Sequence, residues 1–108
     1  MRRNLAFADV YDKSWAASVL TDVNATSPII SKDAVDNMGH GHKVQYLDGS
    51  YAVPTSYGYI AVHYAVELEW NEFNDDKEFL GHGTSLFYVT DGDISPHDVI
   101  VHAKFGKR

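Results

Sequence analysis

The sequence predicts an α+β fold, in which one or two short N-terminal helices cover a mostly antiparallel sheet of four to five strands. Three observations predict it. Residues 12–39 contain helix-capping residues and helical spacing, residues 43–105 contain alternating apolar and polar residues, and 108 residues suffice for a single domain, 1–108. A small β-barrel or sandwich with helical decoration is the alternative.

The chain is predicted to open with a short strand over residues 4–11. Asp12 then has the residue type and position of an N-cap for a first helix over residues 13–23. Three apolar residues of that segment fall on one helical face: Trp15, Val19 and Leu20.

A second, shorter helix is predicted over residues 32–38. Pro28 separates it from the first helix, because the residue before a proline avoids the helical conformation. Ser31 supplies the N-cap and Gly39 ends the helix. A helix of this length needs packing to be stable.

The β region begins with a predicted hairpin over residues 43–53, with Asp48-Gly49 as its turn. Pro54 stops the second strand of this hairpin or confines it to an edge. The clearest periodicity follows in residues 57–70, which predict a long strand. One face of that strand is apolar and is predicted to meet the core: Ile60, Val62, Tyr64, Val66, Leu68 and Trp70.

The last part of the chain is predicted to turn at residues 71–79 and to form two further strands, at 84–90 and 99–105. The loop between these strands contains turn-forming residues, Gly92 and Pro96.

The charge is unevenly distributed along the chain. The net charge is −6, but residues 4–103 contain four lysines against all 15 acids, a balance of −11. The five remaining basic residues lie at the two ends: Arg2, Arg3, Lys104, Lys107 and Arg108. An acidic body repels phosphates, so direct binding of duplex nucleic acid is not expected. It attracts a partner protein with a basic surface, or the basic ends of a second copy in a homo-oligomer or larger assembly.

Several classes of protein are disfavoured by composition. There is no cysteine, so disulfides and thiolate sites are excluded. No leader-like segment and no apolar run of about 20 residues occurs, so we expect no membrane contact and a cytoplasmic location, in a host cell or a virion if the protein is viral.

An acidic and aromatic segment, residues 67–79, is the predicted contact surface. Aromatic side chains anchor an interface and charge steers the partner towards it. The predicted partner-binding residues are Glu67, Glu69, Trp70, Glu72, Phe73, Asp75, Asp76 and Glu78.

Three histidines beside glycines, His40, His42 and His82, are the candidate metal ligands. On an extended strand His40 and His42 point to one side, which suits two ligands of one ion, and His82 is a third. The alternative function is therefore a metal-dependent enzyme or metal-binding domain that uses zinc or another divalent transition metal. The competing interpretation is that the glycines mark corners and the histidines are polar loop residues.

The preferred hypothesis is a small acidic, non-enzymatic binding or assembly module without a cofactor. Its size and the lack of a complete catalytic set match small accessory proteins of bacteriophages, either virion components or inhibitors of a host factor. A small-ligand pocket around Tyr59 and His63 is a third possibility.

Overall fold

A computed structural model describes residues 2–106 as one curled, mixed β-sheet. Within these residues strands account for 53% of the chain, and the sheet curls into a half-barrel. The eight strands of this part of the chain are β1 (Asn4–Ala8), β2 (Ser14–Ala16), β3 (Val19–Thr21), β4 (Ile29–Ser31), β5 (Gln45–Thr55), β6 (Gly58–Phe73), β7 (Phe79–Thr90) and β8 (Val99–Val101). The helix α1 (Lys32–Asn37) follows β4, and a 3-10 turn spans Gly41–Lys43.

The long strand β6 organises the sheet. The spatial order is β2-β1-β6-β7-β4-β8-β3, and β5 also pairs with β6. One edge of β6 pairs with β5 near its start and with β1 near its end, while β7 pairs with the other edge from Tyr64 to Phe73. The pairs β3–β8 and β4–β7 are parallel.

The predicted α+β fold class is therefore wrong. In residues 2–106 the sheet has eight strands, two of its pairings are parallel, and the only α-helix has six residues. The alternative of a barrel or two-sheet sandwich also differs from this single open sheet, whose end strands are β2 and β3. Four of the strands have three residues each, too few for an alternating pattern to appear in the sequence.

The predicted first helix over residues 13–23 is wrong, since this segment contains β2 and β3. Asp12 has φ of 61°, which is not a helix N-cap conformation. The chain instead turns after β1 on the carboxylate of Asp9, which accepts hydrogen bonds from the backbone N–H groups of Tyr11 and Lys13. Pairing of β2 with β1 and of β3 with β8 overrides the local helical spacing.

The second predicted helix is confirmed as α1. The Ser31 hydroxyl accepts a hydrogen bond from the Ala34 N–H at 3.1 Å, and Gly39 follows the helix with φ of 79°. One face of α1 is buried through Ala34 and Val35, so packing stabilises this short helix. No helix in residues 2–106 has the length and apolar character needed to span a membrane.

The long strand predicted over residues 57–70 is confirmed as part of β6, but the hairpin turn predicted at Asp48-Gly49 is wrong. That dipeptide lies inside β5, where the pairing register shifts between Tyr46 and Tyr51. The chain turns instead after Thr55, whose hydroxyl accepts a hydrogen bond from the Tyr57 N–H and donates one to the Gly58 carbonyl.

The core occupies both faces of the short central strands. Ile30 contacts a cluster that includes α1, Phe7 and Phe87, whereas its neighbour Ile29 belongs to a second cluster with Val62. Adjacent residues of a strand point to opposite faces, so β4 is buried on both sides. The longer strands β6 and β7 extend beyond this core and form the surfaces described next.

Candidate functional site

The turn that joins β6 to β7 is fixed by hydrogen bonds of Asn74 and Glu78. Their backbones are joined by a bond from the Asn74 N–H to the Glu78 carbonyl at 2.9 Å. The Asn74 side chain accepts from the Glu78 N–H at 2.9 Å and donates to the Glu78 carboxylate at 3.1 Å. Asn4 of β1 donates to the Asp75 carboxylate at 2.9 Å and thus ties the turn to the sheet. The segment is therefore held in one conformation.

Two adjacent apolar side chains project from this turn. Phe79 is 57% exposed and Leu80 is 60% exposed. The Phe79 ring nevertheless has a fixed place, because it packs edge-on against Phe73 and is stacked on the His82 ring, each at 6.0 Å between ring centroids. A preformed aromatic anchor loses little side-chain entropy when it binds.

Three acids directly precede these apolar side chains in the chain. We call residues 74–80 the acidic tip, in which three exposed acids, Asp75, Asp76 and Glu78, stand against Lys77. The net charge of the seven residues of the acidic tip is therefore −2. Adjacent exposed apolar side chains next to several acids combine the two features that a contact surface uses, apolar area to bury and charge to steer a partner.

Cavities flank the acidic tip on two sides. One, of about 410 Å³, is lined by Phe73, Leu80 and His82 among others, and the other, of about 690 Å³, is lined by Asn4, Phe73 and Lys77 among others. Arg2 lines both cavities. The acidic tip is thus a ridge between two concave surfaces, a shape that a groove or loop of a partner can match.

Trp70 lies in the core, with 6% of its surface exposed. Its indole Nε1–H donates to the Ser85 hydroxyl at 2.9 Å, and its ring packs against Phe105. Gly83 permits this position, because a Cβ there would lie 2.7 Å from the ring. The ring of Trp70 therefore supports the strands below the acidic tip and offers little surface to a partner.

Glu72 forms a bidentate ion pair with Arg3. The Arg3 Nε and Nη2 atoms donate to the two carboxylate oxygens at 2.8 and 2.7 Å, and the Arg3 side chain is fully buried. Arg3 also donates to the carbonyls of His102 and Ala103 and lies over the Phe105 ring. This N-terminal cation thus contacts an acid of its own chain, while Lys107 and Arg108 lie outside the described residues.

Glu67 and Glu69 lie on a different part of β6. Both are exposed, and they line a cavity of about 250 Å³ with His40 and Lys43. Of the eight predicted partner-binding residues, the structure brings five together at or beside the acidic tip: Glu72, Phe73, Asp75, Asp76 and Glu78.

The three candidate metal ligands lie in different environments. His40 is buried and its Nε2–H donates to the Ala8 carbonyl at 2.7 Å, whereas His42 is exposed on the 3-10 turn with its ring 6.5 Å from that of His40. His82 is stacked on Phe79. Among residues 2–106 no group of three or more histidine or carboxylate side chains has the geometry to hold a metal ion.

The two glycine-flanked stretches also differ in backbone structure. Gly39 ends α1 as a corner residue, but Gly81 and Gly83 lie inside β7 rather than at a corner. Gly83 allows β7 to approach Trp70 closely and does not mark a change of chain direction.

Sequence reasoning missed Leu80, and it included Phe79 only as one aromatic residue of the predicted contact segment 67–79. Their sequence signal is present: two apolar residues directly follow a run of acids at a turn. Comparison of the chain with family models, with curated proteins and with solved structures finds no match.

Proposed function

We propose that this protein is a small acidic binding or assembly module that docks its acidic tip onto a partner protein with a basic surface. The observation that carries the proposal is the exposed pair Phe79 and Leu80, which directly follows three exposed acids and in which the Phe79 ring packs against Phe73 and His82. Burial of both side chains in a partner would stabilise a complex by about 1.5–3 kcal/mol per side chain before the costs of association.

The charge pattern supports a basic partner. The three acids of the acidic tip would steer a cationic surface towards the apolar pair and would disfavour acidic proteins. Trp70 and Glu72 act in this proposal as internal supports, because the indole is buried and the carboxylate binds Arg3.

The metal-dependent alternative has no specific observation in its favour. The His40 Nε2–H donates to the Ala8 carbonyl, the His42 ring lies 6.5 Å from that of His40, and His82 is stacked on Phe79. We therefore propose a function that needs no cofactor.

Peptide selection tests the proposal. A displayed library of random 12-residue peptides is selected on the wild-type protein at low salt and is counter-selected on the double variant Phe79→Ser/Leu80→Ser. We expect enriched peptides that combine Lys or Arg with an apolar residue. Their affinity should fall at least roughly tenfold for the double variant and several-fold when salt is raised to about 0.3 M.

The matched control is Leu86→Ser, which removes another exposed leucine of β7, away from the acidic tip. It should leave peptide affinity unchanged, and all variants should remain folded, with a larger loss of stability for the double variant than for Leu86→Ser because Phe79 packs against Phe73 and His82. Absence of enrichment, or peptides that bind the double variant equally well, would refute the proposal. Sedimentation at low and high salt tells whether the basic partner is a second copy, whose dimers would dissociate in high salt and would not form with the double variant.

A further inference from the structure

The open edges of the sheet are not equally protected against strand addition. The outer edge of β5 contains Pro54, which has no N–H to donate, and an irregular register around Asp48 and Gly49. Proline and bulges on an edge are two means by which proteins prevent pairing with another strand. The edge of β5 is therefore a poor docking site.

The first six residues of β6 have an unprotected edge. One side of this segment, Gly58–His63, pairs with β5 from Gly58 to Val62, and His63 lies at the register shift of β5. On the other side the pairing with β7 begins only at Tyr64 and Val89, and within residues 2–106 no other strand pairs there. The segment contains no proline and no Asp, Glu, Lys or Arg, so it lacks both the proline found in β5 and the charged side chains that protect other sheet edges.

A cleft lies along this edge. The chain leaves the line of β7 after Thr90, whose hydroxyl accepts a hydrogen bond from the Gly92 N–H at 2.9 Å. Had β7 continued, its next residues would lie opposite the start of β6. A cavity of about 410 Å³ is found there instead, lined by Tyr59, Ala61 and His63 on one side and Thr90 and Asp91 on the other.

We propose that this cleft binds an extended segment of a partner protein, which adds to β6 as a strand in the line of β7. Unpaired backbone N–H and C=O groups of a strand edge are best satisfied by another extended backbone. An occupant of about five residues would match a typical strand length. The site lies at the opposite end of β6 from the acidic tip and does not depend on it.

The side chains that line the cleft define the sequence that it favours. Ala61 is small and lies between Tyr59 and His63 on one face of the strand, so it leaves a depression for an apolar side chain. Asp91 is exposed at the opposite wall and favours a basic side chain. The occupant is thus a β-forming segment in which apolar and basic residues alternate.

A hexapeptide of alternating valine and lysine, acetylated and amidated at its ends, is the probe. Titrated into the ¹⁵N-labelled full chain, it should shift the amide signals of residues 59–63 and 89–92 and slow hydrogen exchange at residues 59–63 by roughly tenfold at saturation. The same peptide with its two non-terminal lysines replaced by proline loses two backbone donors and should not bind, whereas replacement by alanine removes the same two charges but keeps the donors and should still bind.

A pair of variants separates cleft binding from general surface contact. Ala61→Arg fills the depression and should weaken the peptide at least roughly tenfold. Thr84→Arg places the same side chain at an exposed position of β7 away from the cleft and should leave affinity unchanged. Ala61 and Thr84 are both exposed, so neither change is expected to unfold the chain.

Four results would overturn the inference: no binding at about 1 mM peptide, equal binding of the proline peptide, shifts confined to residues 74–80, or equal losses in both variants. Dimerisation that protects residues 59–63 without peptide would assign the cleft to a second copy and refute a partner segment. Shifts at 74–80 alone would support the acidic tip against the cleft, so failures of the two proposals are distinguishable.

Discussion

The two ends of β6 differ although they belong to one strand. The end near Phe73 pairs with β1 on one side and with β7 on the other, and the fully buried Arg3 secures it through Glu72. The start of the strand, near Gly58, pairs only with β5, and several exposed tyrosines surround it. At the end near Phe73, the exposed apolar side chains stand on strands that are paired on both sides. At the start of β6, the exposed tyrosines lie beside an unpaired strand edge.

Each end is nevertheless secured by a buried charged group from elsewhere in the chain. Arg3 does this at the paired end, and Asp22 does it at the turn between β5 and β6. The Asp22 carboxylate accepts hydrogen bonds from the Ser56 N–H at 2.8 Å and the Ser56 hydroxyl at 2.5 Å. A long strand such as β6, which extends past the core, is thus attached separately at each end. One attachment is an ion pair, and the other is a carboxylate that accepts several N–H and O–H hydrogen bonds.

The largest expected effect is at the paired end. Arg3→Ala removes the buried partner of Glu72 and leaves the carbonyls of His102 and Ala103 without this donor, so we expect a loss of about 3–5 kcal/mol in the free energy of unfolding. Urea denaturation at pH 7 measures it. Arg2→Ala, which removes an exposed arginine next in sequence, should cost less than about 0.5 kcal/mol. Equal losses in the two variants would show that burial of Arg3 has no special importance.

A smaller loss of stability, which depends on pH, is expected when Asp22 is changed at the turn between β5 and β6. Burial acts to raise the pKa of Asp22, but the hydrogen bonds from Ser56, Asn24 and Ala25 outweigh it and hold the pKa below its ordinary value of 3.8. A lowered pKa in the folded state stabilises the protein at pH above the unfolded-state pKa, and this contribution is lost as the pH falls through the folded-state pKa.

Asp22→Asn should therefore cost about 2 kcal/mol at pH 7, since a carboxylate acceptor becomes an amide. The difference in the free energy of unfolding between wild type and variant should become smaller as the pH is lowered from 5 through the folded-state pKa of Asp22. Urea denaturation at each pH measures this difference. Asp48→Asn, at an exposed position of β5, should have the same free energy of unfolding as the wild type at each pH. If the loss of stability in Asp22→Asn did not change with pH, ionisation of the Asp22 carboxylate would not be its cause.

A third effect, similar in size to that of Asp22→Asn, concerns the support below the acidic tip. Gly83→Ala places a Cβ 2.7 Å from the Trp70 ring and should lower the free energy of unfolding by about 1–3 kcal/mol. Gly81→Ala lies two residues earlier in β7, meets no atom within 4 Å and should cost less than about 0.5 kcal/mol. Thermal denaturation followed by Trp fluorescence distinguishes them. If Gly81→Ala were the more destabilising change, the packing of β7 on Trp70 would need another explanation.

Strong local patterns predicted their elements correctly. The alternation over residues 57–70 predicted a strand because most of one face meets the core, although Tyr64 of that face is exposed and Ala65 is buried instead. Ser31 with Gly39 predicted α1 because capping chemistry is local. The candidate site was predicted only in outline. The acids and Phe73 were identified, whereas Trp70 is buried and the exposed pair is Phe79 and Leu80.

By itself the sequence determined the acidic body, the long amphipathic strand, the capped short helix and the acidic turn, since composition, periodicity and capping depend on neighbours along the chain. Only the tertiary structure decided the eight-strand mixed sheet, the strand pairing of residues 14–21 and the ion pair of Arg3 with Glu72. The physical reason is that three-residue strands and buried charges are stabilised by partners distant in sequence, here 69 residues apart for Arg3 and Glu72.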